Sequence, residues 1–139
     1  MKDKHISAFL KTTQIFAECS TAKRLHVGAI CVKDDKIISI GYNGTPQGWD
    51  NSCEDENGKT LPEVCHAEAN CLMKLARHNG GAHNSTMFCT HSPCIECAKL
   101  IYGAGISTLY FINEYRSHEG INFLKKAGVT VIDGKRFLE

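Results

Sequence analysis

Apolar positions recur at helical spacing at the start of the chain. Ile6, Phe9, Leu10, Thr13 and Phe16 fall on one stripe, which predicts an amphipathic helix over residues 4–19. Two β-rich stretches follow, residues 27–32 and 36–42, and the polar Lys33-Asp34-Asp35 between them reads as the turn of a hairpin. Residues 43–62 are rich in Gly, Asn, Asp and Pro and show no period. A loop of that length in a small domain is usually functional. Beyond it, Glu68, Cys71, Leu72, Leu75 and Ala76 repeat as on a helix that Asn79-Gly80-Gly81 should stop. Short apolar runs at 86–90, 108–112 and 129–132 predict strands, and 95–102 and 119–127 predict helices, the first halted by Gly103 and Gly105. The expected order is α-β-β-α-β-α-β-α-β. A hairpin followed by alternating strand and helix predicts an α/β fold, with a mixed sheet covered by helices on both faces.

Composition narrows the classes. The 139 residues suit a single domain, 1–139, with no linker or repeat. A net charge of +1 argues against a polynucleotide partner and favours a small charged metabolite. No apolar run approaches the roughly 20 residues that cross a bilayer, so no membrane partner is expected. The first residues lack the apolar core of a secretion signal, and a cytoplasmic protein is expected. In that reducing setting the 8 cysteines point to metal or catalysis before disulfides.

Their spacing decides which. Cys94 and Cys97, three apart after Pro93 at a predicted helix start, can turn toward one ion, and the helix N-terminus favours both as thiolates. His66, opening the preceding helix, would complete a neutral set around Zn²⁺. Structural zinc sites carry four protein ligands, whereas catalytic ones leave a position for water. This grouping offers three. Glu68 is then the candidate proton carrier, but it lies two residues past His66, about 200° round a regular helix. His66 must therefore stand at the helix cap if the two side chains are to converge.

His-Ala-Glu (66–68) combined with Pro-Cys-x-x-Cys (93–97) is the signature of zinc deaminases. Through these residues, with Arg24-Leu25-His26-Val27-Gly28-Ala29, Gly41-Tyr42-Asn43-Gly44, Thr90-His91-Ser92 and Gly103-Ala104-Gly105-Ile106, nearly the whole chain resembles the deoxycytidylate (dCMP) deaminase family of the cytidine deaminase superfamily. The resemblance implies a three-layer α/β/α sandwich around a five-stranded mixed sheet, assembled into homo-oligomers, usually hexamers. It implies one catalytic zinc held by His66, Cys94 and Cys97, with Glu68 as proton shuttle. It further implies Asn43 at the sugar, and dCTP and dTTP as activating and inhibiting effectors near Gly41, Tyr42, Asn43 and Gly44. The expected reaction is hydrolysis of dCMP to dUMP and ammonia by zinc-bound hydroxide, supplying dUMP for thymidylate synthesis.

Selecting a nucleotide requires cations at its phosphate. Lys23 and Arg24 ahead of the first strand, and Arg116, are the candidates, although single surface Lys and Arg residues are more often merely solvated. Tyr115 suits either a stack on the pyrimidine or plain packing, and Asn43 either a sugar contact or a turn. Ala67 and Ser92 join the candidate substrate contacts. Cys31, Cys71 and Cys89 read as small core residues, Cys19 as structural, and Cys65 as packing behind the metal. A second, structural zinc at Cys53 is not expected, since no tetrad is evident. His5, His26, His78 and His118 read as surface or capping residues. Two rivals remain: a tRNA adenosine or guanine deaminase, which would need a basic face, and an inactive structural zinc module, which would need a fourth ligand.

Overall fold

The computed structural model describes residues 1–78 and 80–139. Its elements are α1 (Asp3–Ala17), β1 (Gly28–Lys33), β2 (Lys36–Tyr42), α2 (Ala67–Arg77), β3 (Thr86–His91), α3 (Ile95–Gly103), β4 (Thr108–Asn113), α4 (Glu119–Lys126) and β5 (Thr130–Asp133), closed by a 3₁₀ turn, Lys135–Leu138. The expected element order holds, with boundaries moved by one or two residues. The closing 3₁₀ turn was not anticipated, because four residues are too few to show a period. Helix α2 ends at Arg77 with His78 as its cap; Asn79, expected to help stop it, lies outside the described residues.

The five strands form one mixed sheet in the order β2-β1-β3-β4-β5. β1 pairs antiparallel with both β2 and β3, while β3, β4 and β5 run parallel. The hairpin turn puts both Asp34 and Asp35 in the left-handed region, φ 52° and 60°, the conformation that matches strand twist in two-residue turns and that Asp tolerates. A register shift between Cys31 and Val32 adds a bulge to the same pair.

Alternate residues of the central strands face opposite ways, which makes two cores. Ile30, Val32, Phe88 and Tyr110 pack against Ile6 and Leu10 of α1. On the other face Ala29, Cys31, Met87, Cys89 and Leu109 pack against Ala67 and Cys71 of α2, Ala98 and Ile101 of α3 and Leu124 of α4. The result is three layers, with α1 on one side and α2, α3 and α4 on the other. The Phe88 and Tyr110 rings stack with centroids 4.9 Å apart.

Helices α3 and α4 end alike. Gly105 and Gly128 both take positive φ, 87° and 92°. Ile106 N–H then reaches back to the Ile101 carbonyl and Val129 N–H to that of Leu124. These closures satisfy the last carbonyls and turn the chain directly into β4 and β5. The N-terminal caps of α2 and α3, His66 and Cys94, meet just beyond the end of β3, where the candidate chemistry lies.

Candidate active site

His66 stands outside α2 as its N-cap, in extended conformation (φ −71°, ψ 154°), and Ala67 begins the helix. The cap position supplies the convergence that a regular helix would forbid. Cys94 likewise caps α3, its sulfur accepting from the Cys97 N–H at 3.5 Å. His66 Nδ1 lies 3.3 Å from Cys97 Sγ and 3.5 Å from Cys94 Sγ, and all three ligand atoms fall within 4.8 Å of one another. A tetrahedral zinc with the usual Zn–S and Zn–N bond lengths separates N and S by about 3.5 Å and its two sulfurs by about 3.8 Å. The trio fits zinc. Among the described residues these three form the one cluster able to hold an ion, with no fourth protein ligand.

The electrostatics of the trio match. Hydrogen bonds from Cys97 and then His66 hold the Cys94 thiol down at about 3. The Cys97 thiol is pushed up, chiefly by its hydrogen bond to Cys94 and by burial. The hydrogen bond to Cys94 raises His66, despite its partial burial. Glu68, in the first turn of α2, is 4% exposed. Burial pushes its carboxyl up to about 7, partly offset by its own backbone N–H and by His66.

A cavity of about 600 Å³ opens beside the trio, lined by His66, Glu68 and Cys94, a size suited to a small metabolite. Arg24, Asn43, Ala67, Ser92, Tyr115 and Arg116 line it too. Asn43 uses both ends of its amide on the main chain: Val27 N–H donates to Oδ1 at 2.9 Å, and Nδ2 donates to the Leu25 carbonyl at 2.8 Å. The buried Ser92 hydroxyl accepts from the Tyr115 N–H at 2.7 Å, which fixes the turn after β4 over the cavity. Arg116 lies over the Tyr115 ring at 5.8 Å.

Residues 3–113 match the family described as the cytidine and deoxycytidylate deaminase zinc-binding region. The chain belongs to this family. It is therefore a zinc-dependent deaminase domain, and the trio is its candidate zinc site. Among similar solved structures is the dCMP deaminase of cyanophage S-TIM5 in complex with dCMP and dUMP, at 46% identity and TM-score 0.92, covering 94% of this chain and 97% of that one. ComE operon protein 2 of Bacillus subtilis is 36% identical over 88% of this chain and 67% of its own length. The deoxycytidylate deaminase of Saccharomyces cerevisiae is 33% identical over 94% of this chain, which spans 45% of that protein.

Several expected residues of the deaminase fall elsewhere. Lys23 is exposed and is not among the lining residues; its N–H turns inward to Glu54 Oε2 at 2.9 Å. The chain bends at Lys23 and Arg24, and Arg24 lines the cavity while Lys23 does not. Cys19, expected to be structural, is exposed just past the end of α1. Cys31, Cys71 and Cys89 are fully buried, as small core residues. Cys53 is buried against Thr21 at 3.5 Å, and Cys65 forms an isolated bridge with Gly44. Gly41 packs against the backbone of α2, where a Cβ would stand 2.6 Å from Cys71 N. Tyr42 receives the Asn70 amide on its carbonyl at 2.9 Å.

The cavity also contains residues that sequence reasoning passed over: Glu54, Thr60, His91 and Asn113. Thr90 Oγ1 accepts from Gly28 N–H at 3.0 Å and meets His91 Nδ1 at 2.9 Å. Burial lowers His91 below the usual histidine range. Nothing in their local sequence sets these four apart, apart from the position of His91 at the end of a strand next to the cysteine motif. No described helix is long and apolar enough to cross a membrane.

Proposed function

We propose that this chain hydrolyses dCMP to dUMP and ammonia. The observation that carries the reading is a buried carboxyl, Glu68, sharing one cavity with a three-ligand zinc site and two arginines. The dCMP and dUMP held by the cyanophage relative support the choice of substrate. His66, Cys94 and Cys97 would hold the ion, which supplies Lewis acidity and brings the pKa of a water near neutrality.

Glu68 is the proton carrier in this reading. It accepts a proton from the attacking water and delivers one to ring N3, so that C4 becomes tetrahedral as oxygen adds. It then takes the remaining proton from the new C4 hydroxyl and passes it to the exocyclic nitrogen as the C4–N bond breaks, releasing ammonia and leaving the C4 carbonyl of dUMP. One carboxyl serves as base and then as acid. Arg24 and Arg116 receive the 5′-phosphate, Tyr115 borders the base, and Asn43, Ala67 and Ser92 shape the remaining wall.

The dUMP formed would feed thymidylate synthesis in the cytoplasm. Regulation by dCTP and dTTP through Gly41, Tyr42, Asn43 and Gly44, and assembly of the single 1–139 domain into a homo-oligomer such as a hexamer, complete the reading. Neither a polynucleotide nor a membrane is a partner in it.

Glu68→Gln tests it directly. The amide keeps the shape but transfers no proton, so we expect one zinc per chain, an unchanged melting temperature, and dCMP turnover reduced about 10²–10⁴-fold. Loss of cytosine absorbance follows the reaction. Near wild-type turnover in this variant would refute the role of Glu68, and no turnover of dCMP by the wild-type protein would refute the substrate.

A further inference from the structure

An acid in the wall of a cavity that receives a dianion is unfavourable unless its charge is engaged. Glu54 is such an acid: half-buried, it lines the cavity together with Arg24 and Arg116. Its Oε2 accepts two successive backbone N–H groups, Lys23 at 2.9 Å and Arg24 at 3.2 Å. Successive amides converging on one oxygen form an anion nest, and charge-assisted bonds of this kind are the strong ones.

Glu54 is itself anchored. It sits on a small hairpin in which Asp55 N–H bonds the Lys59 carbonyl and Leu61 N–H bonds that of Cys53, both at 2.8 Å, with Glu54 bridged to Thr60. The Asp55 carboxylate closes the turn by accepting from Asn57 and Lys59 N–H at 2.8 and 3.0 Å. Thr21 Oγ1 donates to the Asn51 carbonyl at 2.8 Å, tying the segment before Arg24 to the same hairpin. On the far side of Arg24, Asn43 holds Leu25 and Val27. The main chain at Arg24 is therefore gripped from both directions, and Glu54 supplies the grip at residues 23 and 24.

We propose that Glu54 is a positioning residue for nucleotide phosphate recognition, fixing the Lys23–Arg24 backbone so that the Arg24 guanidinium is presented to the 5′-phosphate. The inference rests on the reading of dCMP as substrate. An arginine side chain loses much rotational freedom on binding. A fixed Cα confines the space it must search, and misplacement of about 1 Å at a binding group can cost about a hundredfold.

The test compares kcat/KM for dCMP with that for deoxycytidine, which lacks the phosphate, in zinc-loaded protein. In Glu54→Ala the dCMP-to-deoxycytidine ratio falls at least about tenfold, mainly through KM for dCMP. Glu54→Gln, whose amide oxygen still accepts both N–H groups, keeps the ratio within about threefold of wild type. In an Arg24→Ala background, Glu54→Ala lowers the ratio by no more than about twofold further, because the two act through one contact. Should the alanine variant fail to fold or hold zinc, Glu54→Asp, with its charge intact but one methylene too short, is expected to show the same loss. An unchanged ratio in Glu54→Ala, a Glu54→Gln variant as impaired as the alanine, or multiplicative losses with Arg24→Ala would each overturn the inference. Wild-type protein inert toward dCMP overturns the substrate reading and this inference with it, whereas active wild type with an unchanged ratio sinks this inference alone.

Discussion

Gly120 lies in the first turn of α4, directly beneath the main chain that leads into the zinc-binding cysteines. A Cβ at that position would stand 3.0 Å from the carbonyl carbon and oxygen of Cys94 and would overlap the Pro93 carbonyl oxygen more severely. The obstruction is backbone, so no side chain can swing aside. Gly120→Ala must therefore move either α4 or the Pro93–Cys94 segment by on the order of 1 Å. Moving α4 lifts the buried Ile121 and Leu124 out of their packing, whereas moving Cys94 distorts a ligand set whose N–S separations are 3.3 and 3.5 Å. Overpacking of this kind costs about 1–3 kcal/mol, and the better helix propensity of alanine returns less than about 1 kcal/mol. The expected net is a melting temperature lower by roughly 3–8 °C. Support around metal ligands is commonly worth about 10–100-fold in affinity, so zinc should bind that much more weakly in competition with a chromogenic chelator. If Gly120→Ala melts at or above the wild-type temperature and binds zinc equally well, α4 does not buttress the cysteine turn.

Two further outcomes follow from the site. Removing zinc with a chelator should lower the melting temperature and make Cys94, then Cys97, reactive toward a thiol reagent in the folded protein, while the fully buried Cys31, Cys71 and Cys89 stay silent; an unchanged labelling pattern would show that these thiols hold no ion. For His91 the folded pKa lies below the unfolded value of about 6.5. The folded state thus binds fewer protons, and His91 should withdraw stability as pH falls from above about 6.5 through its folded value. Its imidazole signal in an NMR titration should have a midpoint below 6.5, and a midpoint at or above that value would contradict its burial.

The sheet and its helices were readable because burial imposes periods on the chain. Ile30 and Val32 face one core while Ala29 and Cys31 face the other, so β1 shows a continuous apolar run. The zinc trio was readable because each half of it is local: a cap residue and a pair three apart. The part of the cavity wall formed by Glu54 and Thr60 was not, since its contacts join segments about 30 residues apart, as in the bonds from Lys23 and Arg24 to Glu54. A polar stretch such as 51–61 has no apolar period, and its order comes from turn bonds, the Glu54 and Asp55 carboxylates and the single buried Cys53. The exposed position of Lys23, outside the cavity lining, was hidden for the same reason. Charge alone did not reveal which of the two neighbouring cations lines the cavity.

The tip of the small hairpin suits a different use. Residues 55–60 are solvent-exposed, and Gly58 completes the bend with φ 78°. The strand pair below the tip is closed by its own backbone bonds, from Cys53 to Leu61. Exposed tips of this sort accept insertions. A fluorophore attached at Asn57 would ride on the element that braces Arg24 without touching the metal, and its emission would offer an optical record of nucleotide arrival in real time.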